Sequence, residues 1–207
     1  MSKLKYFLKT NLNTIEFNNK VAPSWASKVR RWNQLDGESF CLAEASFYYD
    51  SEVLPCSVVL LASEGSLNTD RAFQNSAKVS PSLFVHTLPN VRMLSYSLMS
   101  GFEGEMICLN KGKQTLGLAL AQNAYMFDGL GLKKILFIQV TKKDEAFYTC
   151  DFFELSKTQG RDDYCIEIDK SKPFIEEVCD EDNILREKIE RGEDCHLNKS
   201  FSMRKSL

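Results

Sequence analysis

The side chains with the most reactive chemistry in this sequence are those of seven cysteines and two histidines. Cys108 has the most suggestive position, because it lies four residues before Gly112, the last residue of a tight Asn-Lys-Gly turn at 110–112. Enzymes often present a nucleophile where a strand turns sharply into a helix, since a side chain on such a turn is exposed. The turn itself offers only Gly112, which has no side chain. The sequence therefore predicts the frame of a nucleophile site without the reacting group.

A catalytic role for Cys108 is weaker than a structural one. A thiol inside an apolar strand usually behaves as a small hydrophobic group with a raised pKa. A nucleophilic cysteine also needs a basic partner to activate it, and no such partner is identifiable near Cys108 in the sequence. We therefore expect Cys108 to be unreactive, and we keep a minimal acyltransferase or hydrolase that uses it as an alternative.

Other reactive side chains give weaker patterns. His86 lies near Ser80 and Ser82, but neither serine follows the pattern of a nucleophile elbow, which favours a structural histidine. No glycine-rich phosphate fingerprint follows any predicted strand. We expect no metal and no cofactor, because the cysteines and histidines that could bind zinc are irregularly spaced and include no Cys-x-x-Cys pair. A zinc site could be assembled only from Cys165, Cys179, Cys195 and His196.

The elements around the turn are a buried strand and a buried helix. Glu105 to Leu109 is a short, mostly apolar run bounded by Gly104 and the turn, which predicts a strand. From Lys113 onward the apolar residues have helical spacing and cover nearly every side, which is typical of a helix packed between layers. The apolar positions of that helix include Leu116, Leu118, Ala119, Leu120, Ala121 and Phe127.

Strands and helices alternate along most of the chain, which indicates an α/β layer architecture. A helix through 40–49 is capped by Asp36 or Ser39, and a helix at 91–99 is stopped by Gly101. From Lys170 the sequence is charged, with one helical segment at 183–191, and we expect a peripheral or disordered tail at 170–207. Further strands are predicted near 4–12, 56–62, 134–140, 146–155 and 164–168, and further helices at 67–78 and from Ser80-Pro81.

Composition excludes several classes of function. A net charge of −2 argues against general nucleic-acid binding. No apolar run approaches the roughly 18 residues of a membrane span, and the scattered, odd number of cysteines favours reduced thiols in the cytoplasm. The segment from Trp25 to Trp32 is both basic and aromatic. A surface segment held by its tryptophans is favoured over an anion-docking site formed by Lys28, Arg30 and Arg31.

Three segments together resemble the N-terminal half of a β-ketoacyl synthase of the thiolase-like superfamily. They are the apolar run 58–65 with the helix that follows, the Ser-Pro-Ser-Leu-Phe segment 80–90, and the strand, turn and helix 104–121. Upstream, the Arg-Arg-containing segment 27–32 resembles a short subfamily found beside aryl polyene and flexirubin-type pigment synthases. The resemblance implies an α/β fold for residues 1–169: a three-layer half of a thiolase-like fold, with a mixed sheet and a buried central helix.

The departures from active synthases bear on activity. Active synthases carry cysteine at the nucleophile turn, where Gly112 stands here, and their catalytic histidines come from a second half that this chain is too short to contain. Claisen condensation needs a thiolate and those histidines. The resemblance therefore implies a non-catalytic partner, similar to a chain length factor, in type II fatty acid or polyketide biosynthesis of the aryl polyene kind.

The resemblance also implies where this partner makes its contacts. In thiolase-like enzymes the strand before the turn pairs across a dimer axis, which assigns an interface to Glu105, Met106, Ile107, Cys108 and Leu109. Either Ile107 or the pair Met106 and Cys108 faces the partner. A wall of an acyl tunnel is assigned to Met93, Leu94, Leu98, Met99 and Leu116, although core packing explains the same residues.

The expected partner is a full-length ketosynthase, in a heterodimer, or a second copy of this chain, with an acyl carrier protein as a further candidate. A homodimeric acyl-binding protein remains an alternative.

Overall fold

A computed structural model describes residues 3–18, 20–29, 32–46, 57–62, 71, 73–75, 89–110, 127, 129–144, 146–158, 164–169, 187–198 and 201–205. The strands are β1 (Lys3–Glu16), β2 (Ser57–Ala62), β3 (Glu105–Asn110), β4 (Lys134–Lys142), β5 (Phe147–Ser156), β6 (Tyr164–Asp169), β7 (Cys195–Asn198) and β8 (Phe201–Lys205). The helices are α1 (Gly37–Ala45) and α2 (Met93–Ser100), with short 3-10 turns at Trp32–Gln34 and Pro89–Arg92.

The eight strands form one mixed sheet in the order β3-β2-β4-β5-β1-β6-β8-β7. Strand β2 pairs in parallel with both β3 and β4. The remaining neighbours, from β4 to β7, pair antiparallel. Every strand predicted from the sequence is present, and β1 and β4 continue beyond their expected ends.

The central strands are buried on both faces, as their nearly continuous apolar sequence predicts. In β2, Val59 and Leu61 belong to the core on one face, whereas Val58 and Leu60 belong to the core on the other. Strand β6 alternates instead, since Ile166 and Ile168 are buried while Glu167 is half-buried.

Helices α1 and α2 cover one face of the sheet. Asp36 caps α1 by accepting a hydrogen bond from the backbone N–H of Ser39 at 2.7 Å. Gly37, the first residue of α1, is buried against Tyr148 of β5. Helix α2 ends at Gly101, which has φ of 70° and donates to Ser97 O at 2.9 Å. Both the predicted cap and the predicted stop are confirmed.

Helical residues also lie against the opposite face. Phe127 is fully buried and meets Tyr6 edge to face, with ring centroids 5.4 Å apart. The turn that follows is closed by a hydrogen bond from Leu132 N to Phe127 O at 3.1 Å. Residues 187–191 are helical, and Ile189 joins the same core. The sheet therefore has helical cover on both faces. The remainder of the predicted central helix, including Leu116, lies outside the described residues.

The expectation of a charged tail from Lys170 onward is wrong for the residues described there. Strand β8 pairs with β6, and β7 pairs with β8, so both belong to the same sheet as the rest of the domain. Met203 is fully buried, and Tyr164 Oη donates to Ile189 O at 2.9 Å. These strands are hard to predict from the sequence, because apolar residues alternate with polar ones and each strand presents only a few apolar side chains to the core.

Candidate functional site

The strand that carries the predicted interface lies at one end of the sheet. Strand β3 pairs with β2 and is last in the strand order, so within the described part of the chain its other edge has no paired strand. Its Glu105 is exposed, and the next four side chains are half-buried. An exposed, mostly apolar strand edge offers backbone donors and acceptors to a second chain. Residues 105–109 thus lie in the last strand of the described sheet, and their use as an interface stays a prediction.

The side chains of β3 alternate between the two faces of the sheet. Met106 and Cys108 pack against the core beneath α1 and α2. Ile107 and Leu109 pack against the core on the opposite face. Each face of the strand is therefore only partly covered, and both pairs of side chains are accessible from the open end of the sheet. The sequence left open which pair faces a partner, and the structure gives each pair a similar degree of burial.

Burial keeps the Cys108 thiol protonated at neutral pH. Desolvation raises its pKa to about 11, while the positive charge of Arg92 opposes this shift and the negative charge of Glu38 adds to it. A basic group does act on Cys108, contrary to the expectation from sequence. This group does not activate the thiol, because a guanidinium cannot accept the thiol proton and because desolvation outweighs its favourable charge. Cys108 consequently lacks the thiolate that nucleophilic catalysis requires.

Arg92 and neighbouring carboxylates form a buried ionic network beside β3. Arg92 Nη1 donates to Glu38 Oε2, and Arg92 Nε lies 3.6 Å from Asp36 Oδ2. Arg92 and Glu38 are 5% and 7% exposed. Ser95 adds a further link, since its Oγ lies 2.8 Å from Ser39 O. The network fixes the start of α2 against the start of α1, and it positions the helical layer over the edge of the sheet.

Sequence reasoning missed this network. Glu38 and Arg92 are 54 residues apart, and neither lies in a motif. A buried charge is costly unless it is paired, so each residue depends on a partner that only the tertiary fold supplies. The one local signal is the run of polar residues at the start of α1, where Asp36, Glu38 and Ser39 lie close together.

The residues assigned to an acyl-tunnel wall do not converge on one surface. Met93 is fully buried among Tyr96 and Phe102 in the core. Leu94 and Leu98 are 49% and 55% exposed. Met99 packs instead against the cluster of Trp25, Val29, Phe40 and Ala43. Leu116 lies outside the described residues.

The basic and aromatic segment is attached to the body by its first tryptophan. Trp25 is 1% exposed, lies 5.2 Å from Phe40 between ring centroids, and donates through Nε1 to Glu44 Oε2. The favoured interpretation of a surface segment held by tryptophan is therefore confirmed for Trp25. Lys28 is exposed. Arg30 and Arg31 lie outside the described residues, so anion docking stays a prediction.

The remaining reactive residues are scattered. Cys41 and Cys150 are fully buried, and burial raises the pKa of both thiols. These two, Cys108 and Cys165 are all free thiols. Strand pairing sets Cys165 in β6 two strands away from β7, which carries Cys195 and His196. Gly112, Ser80, Ser82, His86 and Cys179 lie outside the described residues.

The described residues contain no group of three or more potential metal ligands, and no helix among them is long and apolar enough to cross a membrane. An open cleft of about 350 Å³ lies between the end of β1, the loop at 18–23 and α1. Phe40 and Val21 give it apolar walls, and Glu44 adds a carboxylate. Among the described residues assigned to the interface or to the acyl-tunnel wall, none lines this cleft.

Comparisons with known proteins identify the fold. The sequence matches no protein-family model, and it matches no curated protein. Among solved structures, the chain is similar to a chain of "Ketosynthase (ApeO) in Complex with its Chain Length Factor (ApeC) from Xenorhabdus doucetiae", with a TM-score of 0.60 and 12% identity. The match covers 97% of this chain and 99% of that chain, so the two have nearly equal lengths. The α/β fold with a mixed sheet that the sequence predicts is thereby confirmed.

Proposed function

We propose that this chain is a non-catalytic partner of a ketosynthase, similar to a chain length factor, in polyketide biosynthesis of the aryl polyene type. The observation that carries the proposal is the end-to-end similarity of fold to a chain from a ketosynthase–chain length factor complex. A match over nearly all of two chains of similar length supports a common role more strongly than a match to one half of a larger enzyme.

The open edge of β3 supports the part of the proposal that concerns a partner. A ketosynthase that pairs with this edge satisfies its backbone donors and acceptors and covers the half-buried side chains of Met106 to Leu109. A specific complex typically buries more than about 1,000 Å² in total.

The state of Cys108 supports the part of the proposal that concerns activity. Its pKa of about 11 disfavours the alternative in which Cys108 is the nucleophile of an acyltransferase or hydrolase. Purified alone with malonyl and acyl thioesters of an acyl carrier protein, the chain should release no carbon dioxide and retain no acyl group. A thioester-linked adduct on Cys108, detected by mass spectrometry, would promote the enzyme alternative.

Co-expression with a full-length ketosynthase from the same genome tests the partnership. The two chains should co-purify as a complex of defined mass, measured by light scattering after size-exclusion chromatography. Ile107→Lys and Cys108→Lys, one on each face of β3, should weaken the complex. The control is Arg204→Glu in β8, an exposed change of charge far from β3. A stable monomer that binds no synthase, or equal binding by all variants, would refute the proposal.

A further inference from the structure

Helix α2 carries two exposed leucines on one side. Leu94 is 49% exposed and Leu98 is 55% exposed, whereas their neighbours Met93 and Tyr96 are buried. Residues four apart lie one above the other on a helix, so the two leucines form a single ridge, here called the leucine ridge. Isolated exposed leucines are common on protein surfaces, but an apolar pair at this spacing is the pattern by which a helix contacts another protein.

The leucine ridge points away from both the sheet and α1. Met93 and Tyr96 face the sheet, where they share a core with Phe102. Ser95 faces α1, since its Oγ lies 2.8 Å from Ser39 O. At 100° per residue, Leu94 and Leu98 fall on the remaining part of the helix surface. The ridge is thus turned outward, on the side that α1 does not occupy.

That side of α2 is also the side of the open sheet edge. Helix α1 contacts β1, β4 and β5, in the middle of the sheet, whereas the 3-10 turn that leads into α2 contacts β3. Met106 and Cys108 of β3 pack against the same core as Met93 and Tyr96. The leucine ridge and the edge of β3 therefore border the same end of the molecule, one in the helical layer and the other in the sheet.

We infer that the leucine ridge is the second half of the docking surface for the ketosynthase subunit, and that Leu94 and Leu98 contact its polypeptide. This inference rests on the proposed function and deepens it. A six-residue strand edge supplies only part of the roughly 1,000 Å² that a specific complex requires. A partner of several layers that pairs with β3 extends beyond the sheet to the helical layer, and there it meets the ridge. Two exposed leucines then become buried, which adds apolar area to that supplied by the side chains of β3.

The test compares charged substitutions at two exposed surfaces. The variant Leu94→Lys/Leu98→Lys changes the ridge, and Leu94→Ser/Leu98→Ser removes its apolar groups without adding charge. The matched control is Leu130→Lys, because Leu130 is also an exposed leucine, at 59%, and lies in the turn after Phe127. Circular dichroism checks that each variant is folded. Affinity for the co-expressed ketosynthase is then measured by titration calorimetry.

We expect the lysine variant to bind at least about tenfold more weakly than the wild type, the serine variant to bind at intermediate strength, and Leu130→Lys to bind normally. Wild-type affinity in both ridge variants would overturn the inference and leave the proposed function intact. A wild-type chain that binds no ketosynthase would overturn the proposed function itself. A homodimer that the ridge variants dissociate would overturn the choice of ketosynthase as the occupant, in favour of a second copy.

Discussion

The two ends of the sheet differ in how well they are protected against further pairing. Strand β3 has six residues in regular register with β2 and presents Met, Ile, Cys and Leu. Strand β7 has four residues, and its register with β8 is irregular between His196 and Asn198. Short and irregular edges resist pairing with other chains, whereas regular apolar edges promote it. The β7 end of the sheet is therefore poorly suited to further pairing, and the β3 end is suited to a partner.

The two ends also differ in their ionic contacts. At the β3 end, Arg92 and Glu38 form a buried pair that joins α1 to α2. At the other end, Lys188 and Glu193 form an exposed pair, and the Lys188 ammonium lowers the pKa of the Glu193 carboxyl. When one partner of a buried pair is removed, the remaining charge is neither paired nor hydrated. When one partner of an exposed pair is removed, water solvates the remaining charge. The fold should therefore be far more sensitive to substitution at the β3 end.

The largest expected effect follows from Arg92→Met. This change leaves the Glu38 carboxylate buried without its cation, and it should lower the free energy of unfolding by about 3–5 kcal/mol. Urea denaturation followed by circular dichroism measures the change. The control Lys188→Met removes a cation at the other end and should leave the denaturation midpoint unchanged within error. The double variant Glu38→Gln/Arg92→Met should recover part of the loss. Equal, small effects of the two single substitutions would remove the contrast between the ends.

The sequence predicted the strands well because burial leaves a direct mark on composition. Residues 57–62 and 134–140 are nearly continuous apolar runs, as strands covered on both faces must be. The ends of α1 and α2 were also predictable, because Asp36 and Gly101 each satisfy the backbone of a helix terminus through a local interaction.

The misses have a common physical cause, which is that the missing information is not local. The pairing of Arg92 with Glu38 depends on two helices meeting, and no pattern in either segment encodes it. Strand β8 was interpreted as part of a tail because Phe201–Lys205 includes two basic residues, although Met203 is fully buried. The position of β3 at a sheet edge followed from the family resemblance, since an apolar strand of six residues suits the centre of a sheet equally well.

A smaller effect is expected from Gly37→Ala, which tests the packing of α1 against β5. A Cβ at this position would lie 2.7 Å from Tyr148 Cε2 and closer still to the phenol oxygen. The overpacking should lower the free energy of unfolding by about 1–3 kcal/mol. Gly129→Ala is the control on the opposite face of the sheet, where a Cβ meets nothing within 4 Å. That variant should be as stable as the wild type or slightly more stable. A neutral Gly37→Ala would show that the end of the Tyr148 ring moves aside, and it would contradict the tight packing at this contact.

The smallest expected effect is a difference in reactivity between two thiols, Cys108 at the open end and Cys165 in β6. Both pKa values are raised by burial, but Lys5 and Arg204 counteract the shift at Cys165, and Cys108 reaches about 11. At pH 8, iodoacetamide should modify Cys165 several times faster than Cys108, as measured by peptide mass spectrometry. The rate at Cys108 should continue to rise as the pH approaches 11. Because the unfolded chain releases this proton nearer the ordinary thiol pKa of 9.0, the free energy of unfolding should fall as the pH rises from 9 towards 11.

Binding of the ketosynthase provides the internal control for the same experiment. Pairing at β3 should protect Cys108 from modification and leave the rate at Cys165 unchanged, because β6 is five strands away from β3 in the sheet order. Protection of both thiols would indicate a partner that covers the sheet more broadly than an edge contact. Faster modification of Cys108 than of Cys165 at neutral pH would contradict the conclusion that the Cys108 thiol is protonated. It would then favour the alternative in which Cys108 is the nucleophile of an acyltransferase or hydrolase.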